Sequence, residues 1–335
     1  MLFLNKKRHT MIYKNLLNLI GKTPLVKIPF NSPATLAAKL EYLNPGGSLK
    51  DRSALYMIED AEKKGFLKPG GTIVDASSGN HGIAVAMIGA AKGYKVIITV
   101  CNKISKEKLA TLKAYGAKVI MCPTEAGPDD LENNRNFAVE LAKTIPNSFM
   151  PDQYFNTCNG DAHYFSTGPE IWEQTEGKIT HFFVIAGTGG TSSGTGKYLK
   201  EKNPNIKIIA IDSVNSYHAT GGNPKACYVE GMGIDFDSPV PALDLYDELI
   251  EITDEQAFST LNPLAKEYGL LVGLSSGAVY YVVKNYLPKL RADDLGVMIF
   301  GDSGRAYLSK GLYGDITPDQ IVTMPKKESI PELQV

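Results

Sequence analysis

Several signatures are missing from this 335-residue chain. No apolar run approaches the ~20 residues that a membrane-spanning helix requires, so no span is expected. The charges nearly cancel, to a formal net charge of -1, which leaves no basic field for a nucleic-acid partner. The four cysteines, Cys101, Cys122, Cys158 and Cys227, form no CxxC pair. A chain of this length buries a core without disulfides or structural metals, and scattered thiols suit a reducing, cytoplasmic setting. His163 and His218 have no partners at metal-ligand spacing and are expected to be structural, with no metal. The basic stretch Lys6-Lys7-Arg8 is followed by no apolar segment with a small-residue cleavage site. Residues 1–10 therefore read as a loose extension, with Met11 as an alternative start, and no secretion signal is recognised.

What is present is an alternation. Short β-branched runs over residues 72–75, 95–100 and 118–122 read as strands, with helices between them over 82–92 and 105–115. The second half repeats the rhythm, with strands over 181–186, 207–212 and 296–301 and helices over 191–202 and 276–290. Such alternation implies βαβ units and parallel sheets covered on both faces, in two domains or one large α/β unit. Residues 213–249, rich in Gly and Pro, read as irregular surface loops near a site.

Glycine clusters fall where strands run into helices: Ser77-Ser78-Gly79-Asn80-His81-Gly82, Gly187-Thr188-Gly189-Gly190-Thr191 and Ser275-Ser276-Gly277. Ligands of open α/β sheets bind at the carboxyl ends of strands, so these loops are expected to converge on one cleft. The second cluster has neither the Lys of a Walker loop nor the GxGxxG spacing of a dinucleotide site. It is either a tight turn or a cradle for one phosphomonoester, with backbone N–H groups and the hydroxyls of Thr188 and Thr191 as donors. In Asn44-Pro45-Gly46-Gly47-Ser48-Leu49-Lys50-Asp51-Arg52, Ser48 is expected to cap a helix running toward Gly65. Lys50 then lies in the first turn, either as a solvated surface lysine or as an amine made more nucleophilic by the helix's positive end.

The turn carrying Lys50, the SSGNHG loop, the GTGGT loop and the GLSSGA segment follow one another with the order and spacing of the cysteine synthase and cystathionine β-synthase family, which the chain resembles. The resemblance runs from Ile20-Gly21-Lys22-Thr23-Pro24-Leu25 to Asp302-Ser303-Gly304-Arg305-Ala306-Tyr307-Leu308, with Asp152-Gln153-Tyr154, His163 and Thr167-Gly168-Pro169-Glu170-Ile171-Trp172 between. It implies a pyridoxal 5′-phosphate enzyme of fold type II: two three-layer α/β/α domains with mainly parallel twisted sheets. The larger, cofactor-binding domain is expected over residues 1–50 plus 159–335, and the smaller, mobile, substrate-gripping one over 51–158.

The resemblance further implies that Lys50 forms the Schiff base with the cofactor and moves the proton at Cα. Asn80 is expected at the cofactor's 3′-oxygen, Gly187, Thr188, Gly189, Gly190 and Thr191 at its phosphate, and Ser275 at its pyridine nitrogen. Ser77, Ser78, Gly79, His81 and Gln153 are expected to grip the substrate carboxylate. The implied reaction is β-replacement on serine or an O-activated serine through an α-aminoacrylate, with sulfide or a thiol as nucleophile, in a homodimer. Three other readings stay open: O-phosphoserine with an amine nucleophile, serine or threonine dehydration, and a non-catalytic peptide-binding relative.

Two departures matter. Family members usually carry threonines where this chain has Ser78 and His81; His81 either packs at the start of its helix or contacts the substrate or nucleophile. Residues 228–236 and 302–307 resemble cystathionine β-synthase more than bacterial cysteine synthase, yet no N-terminal Cys/His segment for haem is seen and little chain follows the core. A stand-alone core without haem is expected.

Overall fold

The computed structural model describes residues 12–102, 104–123 and 130–314. The expected extension over residues 1–10, and Met11, lie outside the described residues. In chain order, β1 (Leu25–Lys27) and β2 (Thr35–Leu40) precede α1 (Lys50–Lys64), β3 (Thr72–Ala76), α2 (Asn80–Lys92), β4 (Lys95–Cys101), α3 (Lys106–Ala114), β5 (Lys118–Cys122), α4 (Asn134–Thr144) and β6 (Ser148–Phe149). Then come α5 (Cys158–Tyr164), α6 (Thr167–Gln174), β7 (His181–Ile185), α7 (Gly190–Lys202), β8 (Lys207–Ser213) and β9 (Glu248–Ile252). The order closes with α8 (Asp254–Phe258), α9 (Leu261–Tyr268), α10 (Leu274–Tyr286) and β10 (Leu295–Phe300).

Two sheets result. The larger runs β1-β2-β10-β7-β8-β9 and is parallel except for the β1–β2 pair; the smaller runs β5-β4-β3-β6 and is parallel throughout. Period-two alternation sends neighbouring residues of each strand to opposite faces. In the larger sheet Phe182, Val184, Ile208, Val297 and Ile299 share one core with Leu199 of α7. Phe183, Ile209, Ile211, Met298 and Phe300 share the other with Val279 and Val283 of α10. In the smaller sheet Ile73 and Ile98 pack against Ala54 and Ile58 of α1 and Ala84 and Ile88 of α2, while Val74 faces Ala138 of α4. Burial on both faces is why these strands read as near-continuous apolar runs.

The strand orders fix where a ligand can sit. From β3 the chain moves outward to β4 and β5, then returns to β6 on the other side of β3; from β7 it moves to β8 and β9, then returns to β10. Each sheet thus has a switch point, and the loops leaving β3, β6, β7 and β10 border the resulting crevices.

The sequence-derived strands and helices are all present, within two residues at most ends, and α/β with parallel sheets is the observed class. Ser48 does not cap the helix as expected. Leu49 is the N-cap of α1 and Ser48 Oγ accepts only from Lys50 N–H at 3.2 Å, because Ser48 bridges to Asp302 and Leu49 N–H donates to Gly301 O. The helix expected to reach 290 ends at Tyr286 and continues as a 3-10 turn over Leu287–Lys289, where Pro288 lacks the N–H a further α-helical bond requires. Residues 213–249 are irregular except at their ends and for a 3-10 turn over Leu243–Leu245.

Candidate active site

Lys50 is the first residue of α1 and half-buried, with its ammonium nitrogen 3.2 Å from Thr188 Oγ1 in the loop after β7. No salt bridge joins it to a carboxylate among the described residues. Burial pulls its amine down to about 8, so a substantial neutral fraction exists near neutral pH. Thr188 Oγ1 also accepts from Asn159 Nδ2 at 3.2 Å, and Asn159 Nδ2 in turn donates to Gln153 O at 2.8 Å. One amide therefore ties the loop after β6 to the loop after β7.

Three helices of thirteen residues each, α2, α7 and α10, begin at glycine N-caps (Gly79, Gly189, Gly273) without a side-chain cap. Their first N–H groups remain free, and the positive ends of their dipoles favour anions. The cap at α7 needs glycine because Gly189 holds φ +82°. Its neighbours need glycine for room: a Cβ on Gly187 would lie 2.1 Å from Gly231 O, and one on Gly190 2.1 Å from Asn159 Oδ1. Behind the loop, His163 Nδ1 meets Thr167 Oγ1 at 2.8 Å and Nε2 meets Thr191 Oγ1 at 3.3 Å. Burial, with Arg52 and Lys50 nearby, holds that imidazole down at about 3 and thus uncharged, able to orient the Thr191 hydroxyl.

These loops enclose a cleft of about 1230 Å³. Lys50, Ser77, Ser78, Gly79, Asn80, His81, Gln153, Gly187, Thr188, Gly189, Thr191 and Ser275 all line it; Gly190 alone of the expected set is drawn back, packed on Asn159. The positions were legible in the sequence, but their partners were not. His81 is 1% exposed and its Nε2 lies 2.8 Å from Asp75 Oδ2, so it packs into the cleft wall as one of its two readings expected. Asn80 Nδ2 donates to Asp302 Oδ2 at 2.6 Å, and that oxygen also accepts the Tyr307 hydroxyl. Lys108 of α3 lies over the Tyr307 ring at 4.2 Å and pairs with Glu230 at 2.5 Å. Asp75, Asn159 and Lys108 have no motif of their own that would have marked them, and Glu230 was noticed only as part of the 228–236 segment.

The residues fit pyridoxal phosphate. An amine with a lowered pKa, an anion cradle of backbone N–H groups 138 residues further along, and a hydroxyl (Ser275) in the first turn of α10 border one space. Gln153 Oε1 and His81 Nδ1 are buried polar atoms in its wall with no protein partner, as expected where a ligand completes the site. Among the described residues no group of three His, Cys, Asp or Glu is placed to hold a metal, and no helix is long and apolar enough to cross a membrane. The four cysteines are free thiols.

Comparison with known proteins agrees with this geometry. The chain is 44% identical over 311 residues to cystathionine beta-synthase of Apis mellifera, covering 90% of this chain and 62% of that one. It is 43% identical over 311 residues to a probable cysteine synthase of Bacillus subtilis, covering 91% and 99%. The crystal structure of an O-acetylserine dependent cystathionine beta-synthase from Helicobacter pylori superposes with a TM-score of 0.83 at 38% identity, over 90% of this chain and 99% of that one. Residues 16–302 match the family model described as pyridoxal-phosphate dependent enzyme. With Lys50, the glycine cradle and Ser275 gathered at one cleft, the chain belongs to the pyridoxal-phosphate dependent enzyme family, as its resemblance to cysteine synthase and cystathionine β-synthase implied.

Proposed function

We propose that the protein replaces the β-substituent of serine or an O-activated serine with sulfide or a thiol. The observation that carries this reading is the Lys50 amine, unpaired by any carboxylate and pulled down to about 8, in a cleft that also receives three uncapped helix N-termini. The relatives named cysteine synthase and cystathionine beta-synthase support it, as does the neighbour titled O-acetylserine dependent.

Pyridoxal phosphate, when bound, supplies the electron sink that makes the Cα proton acidic and the β-substituent a leaving group. The 187–191 loop and the start of α7 would hold its phosphate, Lys50 its aldehyde carbon, and Asn80 its 3′-oxygen. Ser275 would meet the ring nitrogen, where a neutral hydroxyl beside the positive end of α10 would not hold a proton as an aspartate would. The donor carboxylate lies on the backbone N–H groups that open α2 and on Ser77, Ser78, His81 and Gln153. The Lys50 amine would take the proton at Cα of the amino acid and return it; its lowered pKa keeps both forms accessible. The body formed by residues 51–158, around the smaller sheet, closes on the rest of the chain and excludes water. The enzyme works as a cytoplasmic homodimer.

The test is a matrix of donors (serine, O-acetylserine, O-phosphoserine) against nucleophiles (sulfide, homocysteine, a primary amine), with products identified by mass. A carbon–sulfur product that depends on both substrates is expected. Keto acid released at the same rate without nucleophile would replace this reading with elimination, and a carbon–nitrogen product alone would replace it with an amine acceptor. No product and no change in cofactor absorbance with any donor would favour a binding module.

A further inference from the structure

We propose that Asp302 is a positioning residue that fixes which way round the Asn80 amide stands. It thereby sets which atom of Asn80 meets the 3′-oxygen of the cofactor ring. The inference rests on the reading of Asn80 as a ring-contacting residue.

Asp302 follows β10 of the larger sheet, and Asn80 opens α2 beside the smaller one, 222 positions apart in the chain. The carboxylate is 3% exposed. Its Oδ2 accepts from Asn80 Nδ2 at 2.6 Å and from the Tyr307 hydroxyl. Its Oδ1 lies against Gly273, so close that a Cβ on that glycine would be 1.8 Å away. The carboxylate is therefore held through the two bonds to Oδ2 and by the close approach of Gly273 to Oδ1, which has no hydrogen-bond partner of its own.

The main chain of Asp302 is tied as firmly as its side chain. It bridges to Ser48, two residues before Lys50, and its carbonyl accepts from Gly273 N–H at 2.9 Å, two residues before Ser275. One residue thus sets the spacing of the segments that carry Lys50, Ser275 and Asn80. A displacement of Asp302 would move all three.

Chemistry decides the orientation. Burial raises the Asp302 carboxyl above the usual carboxylate range, but Oδ2, already meeting two donors, acts as an acceptor, so the amide must present Nδ2 to it. The carbonyl Oδ1 is then turned the opposite way, with the second N–H of Nδ2 left to point elsewhere. An amide or a protonated acid at position 302 would accept or donate equally well, and either face of Asn80 would satisfy it. The bond is short and buried, which makes the preference strong.

The variant that separates these cases is Asp302→Asn, of nearly the same shape, studied as the cofactor-loaded full chain. The readouts are cofactor retained on dialysis, thermal midpoint, and the ratio of the two absorption bands of the bound cofactor that report protonation of its 3′-oxygen. Asp302→Asn is expected to retain cofactor but change the band ratio at fixed pH on the order of tenfold, the size expected for a hydrogen bond to a charged group. Asn80→Ala is expected to change the ratio as well, and the double variant no further than Asn80→Ala alone.

A spectrum unchanged in Asp302→Asn while Asn80→Ala shifts it would overturn the proposal and leave the role of Asn80 standing. An equal shift from Asp302→Asn in the Asn80→Ala background would overturn it too, since Asp302 would then act by another route. A spectrum unchanged by Asn80→Ala would remove the reading of Asn80 and the proposal with it. Should Asp302→Asn fail to fold, Tyr307→Phe loosens the same oxygen: a shift that disappears in the Asn80→Ala background supports the proposal, and no shift overturns it.

Discussion

His81 Nε2 stands 2.8 Å from Asp75 Oδ2 inside the cleft wall, each residue 1% exposed. Asp75 is the ring's partner at Nε2, and Nδ1 is left without a partner from the protein. Threonine, usual at this position in the family, could not reach Asp75 in the same way or offer a ring nitrogen.

His81→Thr is therefore expected to leave cofactor binding intact and to change the preference between donors or between nucleophiles by about tenfold in kcat/KM, the scale of one specific polar contact. Unchanged ratios across every donor and nucleophile tested would confine His81 to packing. Loss of the ring also leaves Asp75 Oδ2 without its partner, which lowers the unfolding free energy by ~1–3 kcal/mol, measured by denaturant titration.

The amine of Lys50 gives a pH prediction. Below about 8 it is largely protonated and cannot attack an aldehyde; above that it is the free base. Uptake of pyridoxal phosphate by cofactor-free protein should speed up about tenfold per pH unit on approaching 8 from below and level off above it. Lys50→Ala should show no covalent uptake and lose on the order of a thousandfold or more in turnover. A rate that keeps rising to pH 10 would place the amine in an ordinary solvated setting.

Two glycines of α7 differ only in what surrounds them. A Cβ on Gly190 would meet Asn159 Oδ1 at 2.1 Å, whereas one on Gly196 would meet only Ile208 side-chain carbons at 3.6–3.9 Å. Gly190→Ala should weaken cofactor binding by tenfold or more, roughly the cost of one lost hydrogen bond to a charged group. Gly196→Ala should bind cofactor normally and gain ~0.5–1 kcal/mol of stability, as alanine in a helix interior does. Equal affinities for the two variants in a fluorescence titration would exclude the 187–191 loop as the phosphate site.

Arg52, two residues after Lys50, is held in a buried network. Its guanidinium meets Glu41 at 2.7 Å and Glu170 at 2.7 Å, and Lys39 reaches Glu170 at 2.6 Å. Burial opposes ionisation of Glu170, but Arg52 and Lys39 together hold its carboxyl down at about 2. A depressed carboxyl contributes stability above its unfolded pKa, ~4.3, and loses it as pH falls toward 2. Glu170→Gln should therefore flatten the acid limb of the stability curve between those values. Arg52→Ala should cost ~3–5 kcal/mol at neutral pH, since it leaves the buried Glu41 carboxylate without its salt-bridge partner. An acid limb unchanged in Glu170→Gln would show the network does not hold the fold.

What could be read in advance was whatever repeats locally. Strands β3, β4, β5, β7, β8 and β10 announced themselves because burial on both faces demands apolar runs, and α2, α3, α7 and α10 because glycine and serine punctuate their starts. The two-residue β6 is too short to show any period, and β2 hides behind Lys39, a charged residue made tolerable inside a sheet by Thr23 O and by Glu170 and Gln174, more than 130 positions away. The helices α4, α5, α6, α8 and α9 carry no glycine loop to mark them as part of a site.

By itself, the sequence determined the alternating α/β class and the glycine-rich loops at the strand ends, and its resemblance to cysteine synthase and cystathionine β-synthase pointed to the Lys50 turn and the residues that line the cleft. The class and the loops follow from periodicity and from local backbone demands, which act over a few residues. The tertiary structure alone decided that Asp75 holds His81, that Asp302 joins the segments of Lys50, Asn80 and Ser275, and that His163 backs Thr191. Each of these needs a side chain brought from a distant element by the order of strands in a sheet, or an atom whose burial is known. Hydrogen bonding is short-ranged in space but blind to distance along the chain, so only the folded arrangement can assign such partners.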